Sequence, residues 1–167
     1  MTHVQDITSP MSPLERRATL SLSSIYALRM LGLFMILPVL SLFAESLEGA
    51  TPLLIGLAVS IYGLTQAILQ IPFGLLSDRF GRKKIIIIGL ILFTAGSIVA
   101  ALSTDIYGIL MGRALQGSGA IAAAIMALVA DLTDEVHRTK AMAMIGASIG
   151  VSFGVAITLG PIIAGIA

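Results

Sequence analysis

Five long apolar segments constrain this chain more than any other feature of its sequence. They cover approximately residues 18–44, 52–77, 84–103, 106–130 and 139–166, and only short polar stretches separate them. About 20 apolar residues in an α-helix cross the roughly 30 Å hydrocarbon core of a bilayer. The apolar residues are continuous and do not alternate at every second position, so helices are favoured over a membrane β-barrel. The sequence therefore predicts an all-α membrane protein with five transmembrane helices.

The composition supports lipid as the solvent of this chain. Of 167 residues, 57% are hydrophobic and only 11% are charged, whereas a typical soluble domain carries about 25% charged residues. The first apolar segment is also far longer than the roughly 7–15-residue core of a cleaved signal peptide. We therefore expect the lipid bilayer as a partner, and we expect the first segment to remain in it.

The basic residues predict how the chain is oriented. Eight of them fall on one side of the predicted spans: Arg16, Arg17, Arg79, Arg82, Lys83, Lys84, Arg138 and Lys140. The loops on the other side, residues 45–51 and 103–105, contain acidic residues but no Lys or Arg. The positive-inside rule then predicts that residues 1–17 form a cytoplasmic tail and that residues 18–167 form the transmembrane part.

Several classes of function lack the residues they need. The chain has no Cys, its two His residues lie in polar segments, and its net charge is +1. A thiol or His metal cluster and a nucleic-acid partner are therefore not expected. The sequence also has no phosphate-binding G-x-x-x-x-G-K-[ST] loop, no H-E-x-x-H and no paired carboxylates inside a span. We predict neither an enzyme nor a cofactor or metal site.

The second polar loop carries the most specific motif. It reads G-L-L-S-D-R-F-G-R-K-K, with its defining residues at Gly74, Asp78, Arg79, Gly81, Arg82 and Lys83. This resembles the loop motif between helices two and three of the major facilitator superfamily. A basic cluster alone would be an orientation signal only, whereas an acid and two glycines at fixed offsets are much more specific.

Three further segments resemble the same superfamily in the same order. Leu31-Gly32 and Pro38-Val39 resemble its helix-one exporter signature, although Ser41 stands where a second Pro is usual. The segment R-A-L-Q-G-S-G, which begins at Arg113 and includes Gln116, resembles its helix-four signature. Gly160 and Pro161 resemble its helix-five antiporter motif, in which several glycines are Ala here.

The resemblance is to the drug/proton antiporter branch in the bacterial inner membrane, and it implies both a fold and a function. Such transporters have twelve helices in two six-helix halves, with the substrate bound between the halves and exposed alternately to each side. The chain would then be an incomplete first half, whose partners are the missing C-terminal half, a small-molecule substrate and protons. The implied function is proton-coupled efflux. The alternative is a truncated fragment that does not transport.

Two arginines lie inside predicted spans. At 1.5 Å per residue, Arg29 is about 18 Å from the basic side and Arg113 about 11 Å from the opposite side. A charge at the centre of the bilayer costs about 2.5–3.5 kcal/mol on insertion scales. Arg113 could extend its side chain to the headgroups, or it could face a polar cavity as the helix-four motif implies. None of the nine acidic residues lies within a span, so neither arginine has an evident acidic partner.

Other polar residues share helix faces with these arginines. Tyr26 precedes Arg29 by three residues, and Gln116 follows Arg113 by three. In the second span, Tyr62, Gln66 and Gln70 recur at four-residue steps. Our hypothesis is that these faces converge on a water-filled cavity for substrate or protons. Hydrogen bonding between helices explains the Gln and Tyr residues equally well.

Charged residues at the basic side suggest a switch. Asp78 and Arg82 are one helical turn apart, and Asp131 ends the fourth span on the same side. The resemblance implies an ionic network that holds one conformation of the transport cycle. The alternative is a set of surface pairs worth about 0–1 kcal/mol.

Small residues predict where helices approach one another closely. Gly146, Gly150 and Gly154 are spaced by four residues on the fifth span, and Gly108 and Gly112 have the same spacing on the fourth. Small residues allow helix backbones to come close in a membrane. Ala156, Gly160 and Ala164 form a second small-residue row on the fifth span. We therefore expect tightly packed neighbours on two sides of that helix, which suits a protein of more than five helices.

Overall fold

The computed structural model describes residues 10–45 and 47–166, without the side chains of residues 38, 41, 42, 45, 164 and 166. Most of the predicted N-terminal tail, residues 1–9, lies outside the described residues. The described chain forms six helices: α1 Pro13–Glu45, α2 Pro52–Phe80, α3 Arg82–Leu102, α4 Ile106–Ser118, α5 Ala122–Leu132 and α6 Glu135–Ile166. Among these residues the only β-type pairing is an isolated bridge between Glu48 and Asp105. The predicted all-α fold is confirmed.

The helices give five segments that are long and apolar enough to cross a membrane: Pro13–Leu37, Pro52–Phe80, Arg82–Leu102, Ile106–Leu132 and Glu135–Ile163. The fourth of these was expected as one helix over residues 106–130, but α4 and α5 are separate. Gly119 leaves helical geometry with ψ 52°, and the Ile121 N–H donates to the Gly119 carbonyl at 2.9 Å. This tight turn interrupts the i→i−4 ladder in the middle of the span.

Side-chain caps explain where several helices begin. α1 starts five residues before its apolar segment because Ser12 and Glu15 form a reciprocal capping box. The Thr51 hydroxyl accepts a hydrogen bond from the Leu54 N–H at the start of α2. The Asp105 carboxylate accepts one from the Gly108 N–H at the start of α4, at 2.8 Å. Each cap satisfies a backbone N–H that has no partner within its helix.

One glycine joins α2 to α3 without a loop. Gly81 has φ +100°, a conformation that side chains disfavour, and its N–H donates to the Ser77 carbonyl at 3.1 Å. A residue with a Cβ would strain this junction. The position therefore requires Gly. The backbone conformation alone explains why Gly81, the second glycine of the loop motif, occupies it.

The helices pack in two groups. α4 lies against both α2 and α3, and α1 packs mainly along α6. Within the second group, the Ser152 hydroxyl of α6 donates to the Ala27 carbonyl of α1 at 2.9 Å. α5 packs against α1, α2, α3 and α6, and it supplies Ile125 and Val129 to the main buried cluster. We call the end of the bundle that carries residues 79–84 and 131–140 the basic end.

At the basic end, one carboxylate connects the starts of α1 and α6. Glu15 is buried, and its Oε1 accepts hydrogen bonds from the Asp134 N–H at 2.9 Å and from His137 Nδ1 at 3.1 Å. Its Oε2 accepts from the Ser12 N–H at 2.7 Å. Sequence reasoning expected no cluster of this kind, yet the ligand atoms of Glu15, Asp134 and His137 lie within 4.8 Å of one another. Because N–H donors already occupy both carboxylate oxygens, the cluster acts here as a joint between two helices.

The closest helix contacts lie at glycines of α3 and α4. A Cβ added to Gly112 would meet the Ala100 backbone N at 2.6 Å and the Gly96 carbonyl O at 2.8 Å. In contrast, a Cβ at Gly146, Gly150 or Gly154 would meet nothing within 4 Å. The expectation of a tight neighbour is therefore met for α4. For the α6 glycines it stays a prediction, because no described helix covers that face.

We predict that Gly112→Ala destabilises the bundle by about 1–3 kcal/mol, because the added methyl group collides with the α3 backbone. Gly146→Ala is the matched control and should be neutral or stabilising by up to about 1 kcal/mol, because Ala is the better helix former. Unfolding of the detergent-solubilised chain, followed by circular dichroism, measures both. Equal effects of the two substitutions would contradict the α3–α4 packing described here.

Candidate functional site: a buried arginine pair

Arg29 is fully enclosed near the middle of α1, with 3% of its surface exposed. Its Nη2 donates to the Gly119 carbonyl oxygen at 2.7 Å and lies 3.3 Å from Gln66 Oε1. The guanidinium also lies over the Phe93 ring, 5.2 Å from its centroid. Arg29 therefore connects α1 to α2, to α3 and to the tight turn that interrupts the fourth span.

Arg113 on α4 is equally enclosed, with 1% of its surface exposed. Its Nε donates to the Ala58 carbonyl of α2 at 3.3 Å, and its Nη1 donates to Gln116 Oε1 at 2.9 Å. Gln116 in turn donates to the Ser97 hydroxyl of α3 at 2.9 Å. The side chain is directed into the bundle, so extension to the headgroups is not the conformation observed.

Tyr62 of α2 connects the two arginines. The Arg113 guanidinium lies over the Tyr62 ring, 4.9 Å from its centroid, and Tyr62 interacts electrostatically with both Arg29 and Tyr26. Tyr26 and Tyr62 are both buried. We call Arg29, Arg113, Tyr26, Tyr62 and Gln66 the arginine cluster. It brings α1, α2 and α4 together in the interior of the bundle.

The arginine cluster contains more hydrogen-bond donors than acceptors. Arg29 Nε, Arg29 Nη1, Arg113 Nη2 and the Tyr62 hydroxyl are buried and have no hydrogen-bond partner. No ion pair of the described residues involves Arg29 or Arg113. A buried donor without a partner costs about 1–3 kcal/mol, and a charged donor costs more. The cluster is thus an electropositive site in which several donors remain available.

The sequence hypothesis placed seven residues at a common polar site, and the structure distributes them unevenly. Tyr26, Arg29, Tyr62, Gln66, Arg113 and Gln116 are connected through the contacts given above. Gln70 is half-buried one turn beyond Gln66, and its described contacts include neither arginine. The spacing on α2 therefore brings two of its three polar residues to the cluster.

The glycines of the helix-four motif explain how the arginines come together. A Cβ on Gly117 would collide with the Tyr62 carbonyl oxygen and the Thr65 hydroxyl of α2. A Cβ on Gly119 would collide with the Gly89 carbonyl oxygen of α3. Without side chains at these two positions, α4 can approach both α2 and α3. The helix-four motif therefore supplies the charged residue, Arg113, and also the glycines that let the helices close around it.

A cavity of about 420 Å³ lies beside the arginine cluster, between α1, α3 and α4. Phe93 and Gln116, which contact Arg29 and Arg113, form part of its wall. Ser97 is the other polar residue of the lining, and the remaining wall is apolar, with Ile36, Leu40 and Ile109 among its residues. The cavity thus offers an apolar volume, and Phe93 and Gln116 stand between it and the two guanidiniums.

A second group of charges lies at the basic end. Arg82 at the start of α3 forms ion pairs with Asp78 of α2 and, through Nε at 3.1 Å, with Asp131 of α5. Its Nη1 also donates to the buried Ser77 hydroxyl at 2.9 Å. Asp78 and Asp131 are more than half exposed, so water weakens the ion pairs while Ser77 orients the guanidinium. Arg82 thereby joins three helix ends.

The remaining motif residues have simpler surroundings. Gly74 packs against Ala123 of α5, with an added Cβ 3.5 Å from the Ala123 Cβ. The Arg79 guanidinium lies over the Phe80 ring, 5.6 Å from its centroid, and Lys83 is exposed. In α6, Gly160 is buried and Pro161 lies exposed within the helix.

Sequence reasoning missed Phe93, Ser97, Ser77 and the carbonyl groups of Ala58 and Gly119. The two carbonyls carry no signal in a sequence, because every residue has one. Ser77 adjoins Asp78 in the loop motif and could have been included. Phe93 and Ser97 lie in the most apolar of the five spans, where a single aromatic or hydroxyl residue is ordinary packing material.

Comparison with known proteins gives consistent results. The sequence profile described as Major Facilitator Superfamily matches residues 22–167. The chain is 63% identical to the inner membrane transport protein YajR of Escherichia coli over 92% of its own length, which is 34% of that protein. It is 36% identical to multidrug resistance protein 2 of Bacillus subtilis over 81% of its length, and 32% identical to the class B tetracycline resistance protein of Escherichia coli over 82%. The chain spans about a third of the length of each of these relatives.

We predict that Gln116→Glu stabilises the chain by about 1 kcal/mol at neutral pH. The substitution preserves size and places a carboxylate against Arg113 Nη1, and charge-assisted hydrogen bonds are worth more than neutral ones. Gln70→Glu is the matched control and should be neutral or destabilising, because its described contacts include neither arginine. Thermal unfolding in detergent measures both, and destabilisation by Gln116→Glu would mean that Arg113 already has a counter-charge.

Proposed function

The chain belongs to the major facilitator superfamily, and from that membership we propose that it forms the first part of a secondary transporter that exports small molecules by alternating access, coupled to protons. The observation that carries the proposal is the arginine cluster. Two guanidiniums are buried where three helices meet. A charge held inside a membrane bundle costs free energy, so such charges are rare and are kept mainly where they have a function. Membrane proteins place such charges on substrate and ion pathways.

The relatives support export as the direction of transport. Two of them are named for resistance to drugs or to tetracycline, and removal of a toxic compound confers resistance. The helix-five segment Gly160-Pro161 supports the same proposal through its resemblance to the antiporter motif. Proton coupling follows from that resemblance. Because the acidic residues of the described chain lie in loops or near helix ends, a proton-binding carboxylate in mid-membrane would belong to the rest of the transporter.

The basic end supports a cytoplasmic location for the N-terminus in a bacterial inner membrane. Arg79, Arg82, Arg138 and Lys140 all lie at that end, beside the start of α1. Lys and Arg accumulate in cytoplasmic loops. The relative from Escherichia coli is named as an inner membrane transport protein, which agrees with this assignment.

We further propose that Arg82, Asp78 and Asp131 form a latch. The Arg82 guanidinium holds the ends of α2 and α5 to the start of α3. An ion pair of exposed residues is worth about 0–1 kcal/mol, and such an energy suits a contact that opens and closes in each cycle. Breaking it would allow the basic ends of these helices to separate.

The test of transport uses a chimera, because the chain spans a third of its relatives. Residues 1–167 are joined to the remaining portion of Escherichia coli YajR and expressed in a strain that lacks its main drug exporters. In respiring everted vesicles, we expect the chimera to concentrate at least one probe of a panel containing fluorescein and ethidium. A protonophore should abolish this uptake. Correctly inserted chimera that moves no probe would contradict the proposal.

The same experiment distinguishes the second candidate, a truncated fragment that does not transport. The observation that favours this candidate is the coverage of only 34% of the first relative. Vesicles that contain the 167-residue chain alone provide the comparison. Uptake by the chimera without uptake by the chain alone would identify the chain as an inactive part of an active transporter.

We predict the orientation from cysteine labelling, for which the absence of native Cys gives a clean background. In intact spheroplasts, a membrane-impermeant maleimide should label Ala50→Cys in the α1–α2 loop. The same reagent should label Lys83→Cys only after the membrane is permeabilised. The opposite pattern would reverse the proposed topology.

We predict that Arg82→Asp in the chimera lowers transport at least several-fold, because it places three carboxylates together. The charge exchange Asp78→Arg with Arg82→Asp should restore part of the activity. Arg79→Asp provides the matched control for a change of local charge, because Arg79 contacts Phe80 and not these acids. If no exchange of charges restores activity, the three residues anchor the topology and do not form a latch.

A further inference from the structure

We propose that the arginine cluster receives the negatively charged head of an amphipathic organic anion, and that such anions are the class of substrate carried. The head would be a carboxylate or a phosphate ester, and the body of the ligand would be apolar. This inference rests on the proposed transport function and adds the chemistry of the ligand. It comes from the unmatched donors of the cluster and from the cavity beside them.

The unmatched groups favour one sign of charge. Within the arginine cluster, the buried atoms without a hydrogen-bond partner are two nitrogens of Arg29, one nitrogen of Arg113 and the Tyr62 hydroxyl. All four can donate a hydrogen bond, and three of them belong to cations. Water could accept these hydrogen bonds, but it would leave two positive charges in a medium of low dielectric. An oxyanion accepts several hydrogen bonds and also neutralises charge.

The rest of the described chain does not provide that anion. Each acidic residue whose side chain is described lies in a loop or near a helix end, and the ion pairs recorded for them involve Arg82 and His137. The arginine side chains are 97–99% enclosed, since 3% and 1% of their surfaces are exposed. A helix packed on the outside of this bundle therefore would not contact them, whereas a ligand can enter when the helices separate during transport.

The volume and lining of the cavity indicate the size and polarity of the rest of the ligand. A cavity of about 150 Å³ holds one benzene molecule, and the cavity here measures about 420 Å³. Its wall is apolar except for Ser97 and Gln116. Since Gln116 also accepts a hydrogen bond from Arg113, the polar edge of the cavity lies against the cluster. A ligand with a charged head and an apolar body matches this arrangement.

The tyrosines of the chain provide a direct readout of binding. The chain contains no Trp and three Tyr, of which Tyr26 and Tyr62 belong to the cluster and Tyr107 is exposed. Tyr107→Phe therefore leaves emission only from the cluster. The chain is placed in vesicles of zwitterionic phosphatidylcholine, so that anionic lipid does not compete for the site and no other protein contributes emission.

The probes are cyclohexanecarboxylate, the neutral cyclohexanecarboxamide and the cationic cyclohexylmethylammonium, which have the same body and do not absorb where tyrosine does. We expect saturable quenching by the carboxylate in Tyr107→Phe, and at least roughly 10-fold weaker binding of the other two, as expected when a charge-assisted hydrogen bond is lost. Equal binding of amide and carboxylate would overturn the proposal. Quenching by the carboxylate that is seen in the unsubstituted chain but is lost in Tyr107→Phe would overturn it as well.

Substitutions locate the site. Arg29→Gln and Arg113→Gln should each weaken carboxylate binding at least roughly 10-fold, whereas Arg138→Gln, at an exposed position, should not. Gly32→Leu should weaken binding by filling the cavity, which Gly32 lines. Gly56→Leu is its control, because Gly56 does not line this cavity. Neither glycine has an atom within 4 Å of an added Cβ, so both variants should fold even if an arginine variant does not. Unchanged affinity in Gly32→Leu and in the foldable arginine variants would overturn the site.

The chimera separates this inference from the proposed function. Cyclohexanecarboxylate should raise its unfolding temperature, and the vesicle assay should move fluorescein, an anion, in preference to ethidium, a cation. Arginine-dependent binding to the chain but not to the chimera would mean that an acid of the remaining transporter occupies the cluster, and the inference would fail. Transport of ethidium alone would leave the transport function standing and refute the anionic substrate. Failure of all transport, with binding intact, would refute the function and retain an anion site.

Discussion

Burial of positive charge in a largely apolar bundle is the constraint on which the rest of this structure depends. Arg29 and Arg113 are held by two backbone carbonyls, two glutamine amides and two aromatic faces, which α2, α3, α4 and the Gly119 turn supply. Lipid cannot satisfy these donors, so the partners must come from within the protein. The carbonyl of Gly119 accepts from Arg29 as well as from the Ile121 N–H of the tight turn. The interruption of the fourth span is thus part of how Arg29 is held.

Close packing and charge are therefore linked in this fold. Gly117 and Gly119 let α4 approach α2 and α3 to distances that a side chain would prevent. That approach encloses Arg113 and places Tyr62 against it. Because lipid provides no hydrophobic force between helices, such short-range contacts are what hold a membrane bundle together.

Much of the fold was predictable from the sequence, and part of the site was not. Hydropathy identified five spans because 20 or so apolar residues have few alternatives to a transmembrane helix. The turn at Gly119 was missed, since an apolar run continues through it and glycine is common in membrane helices. The arginines were identified because charge is rare in such segments, whereas the depth of their burial depends on how four helices pack. The neighbours of the α6 glycines stay a prediction: their spacing shows that small residues share one face of the helix, but it does not show what covers that face.

The joint at Glu15 has a mechanical consequence for α1 and α6. The positive ends of both helix dipoles meet at one carboxylate, so two helices that pack side by side are also joined at their basic ends. Each exceeds 30 residues and is about 45–50 Å long. With one end held as a pivot, a tilt of one degree displaces the far end by roughly 0.8 Å over this length. The pair thus works as a lever, in which a small rotation at the joined end produces a much larger displacement across the membrane.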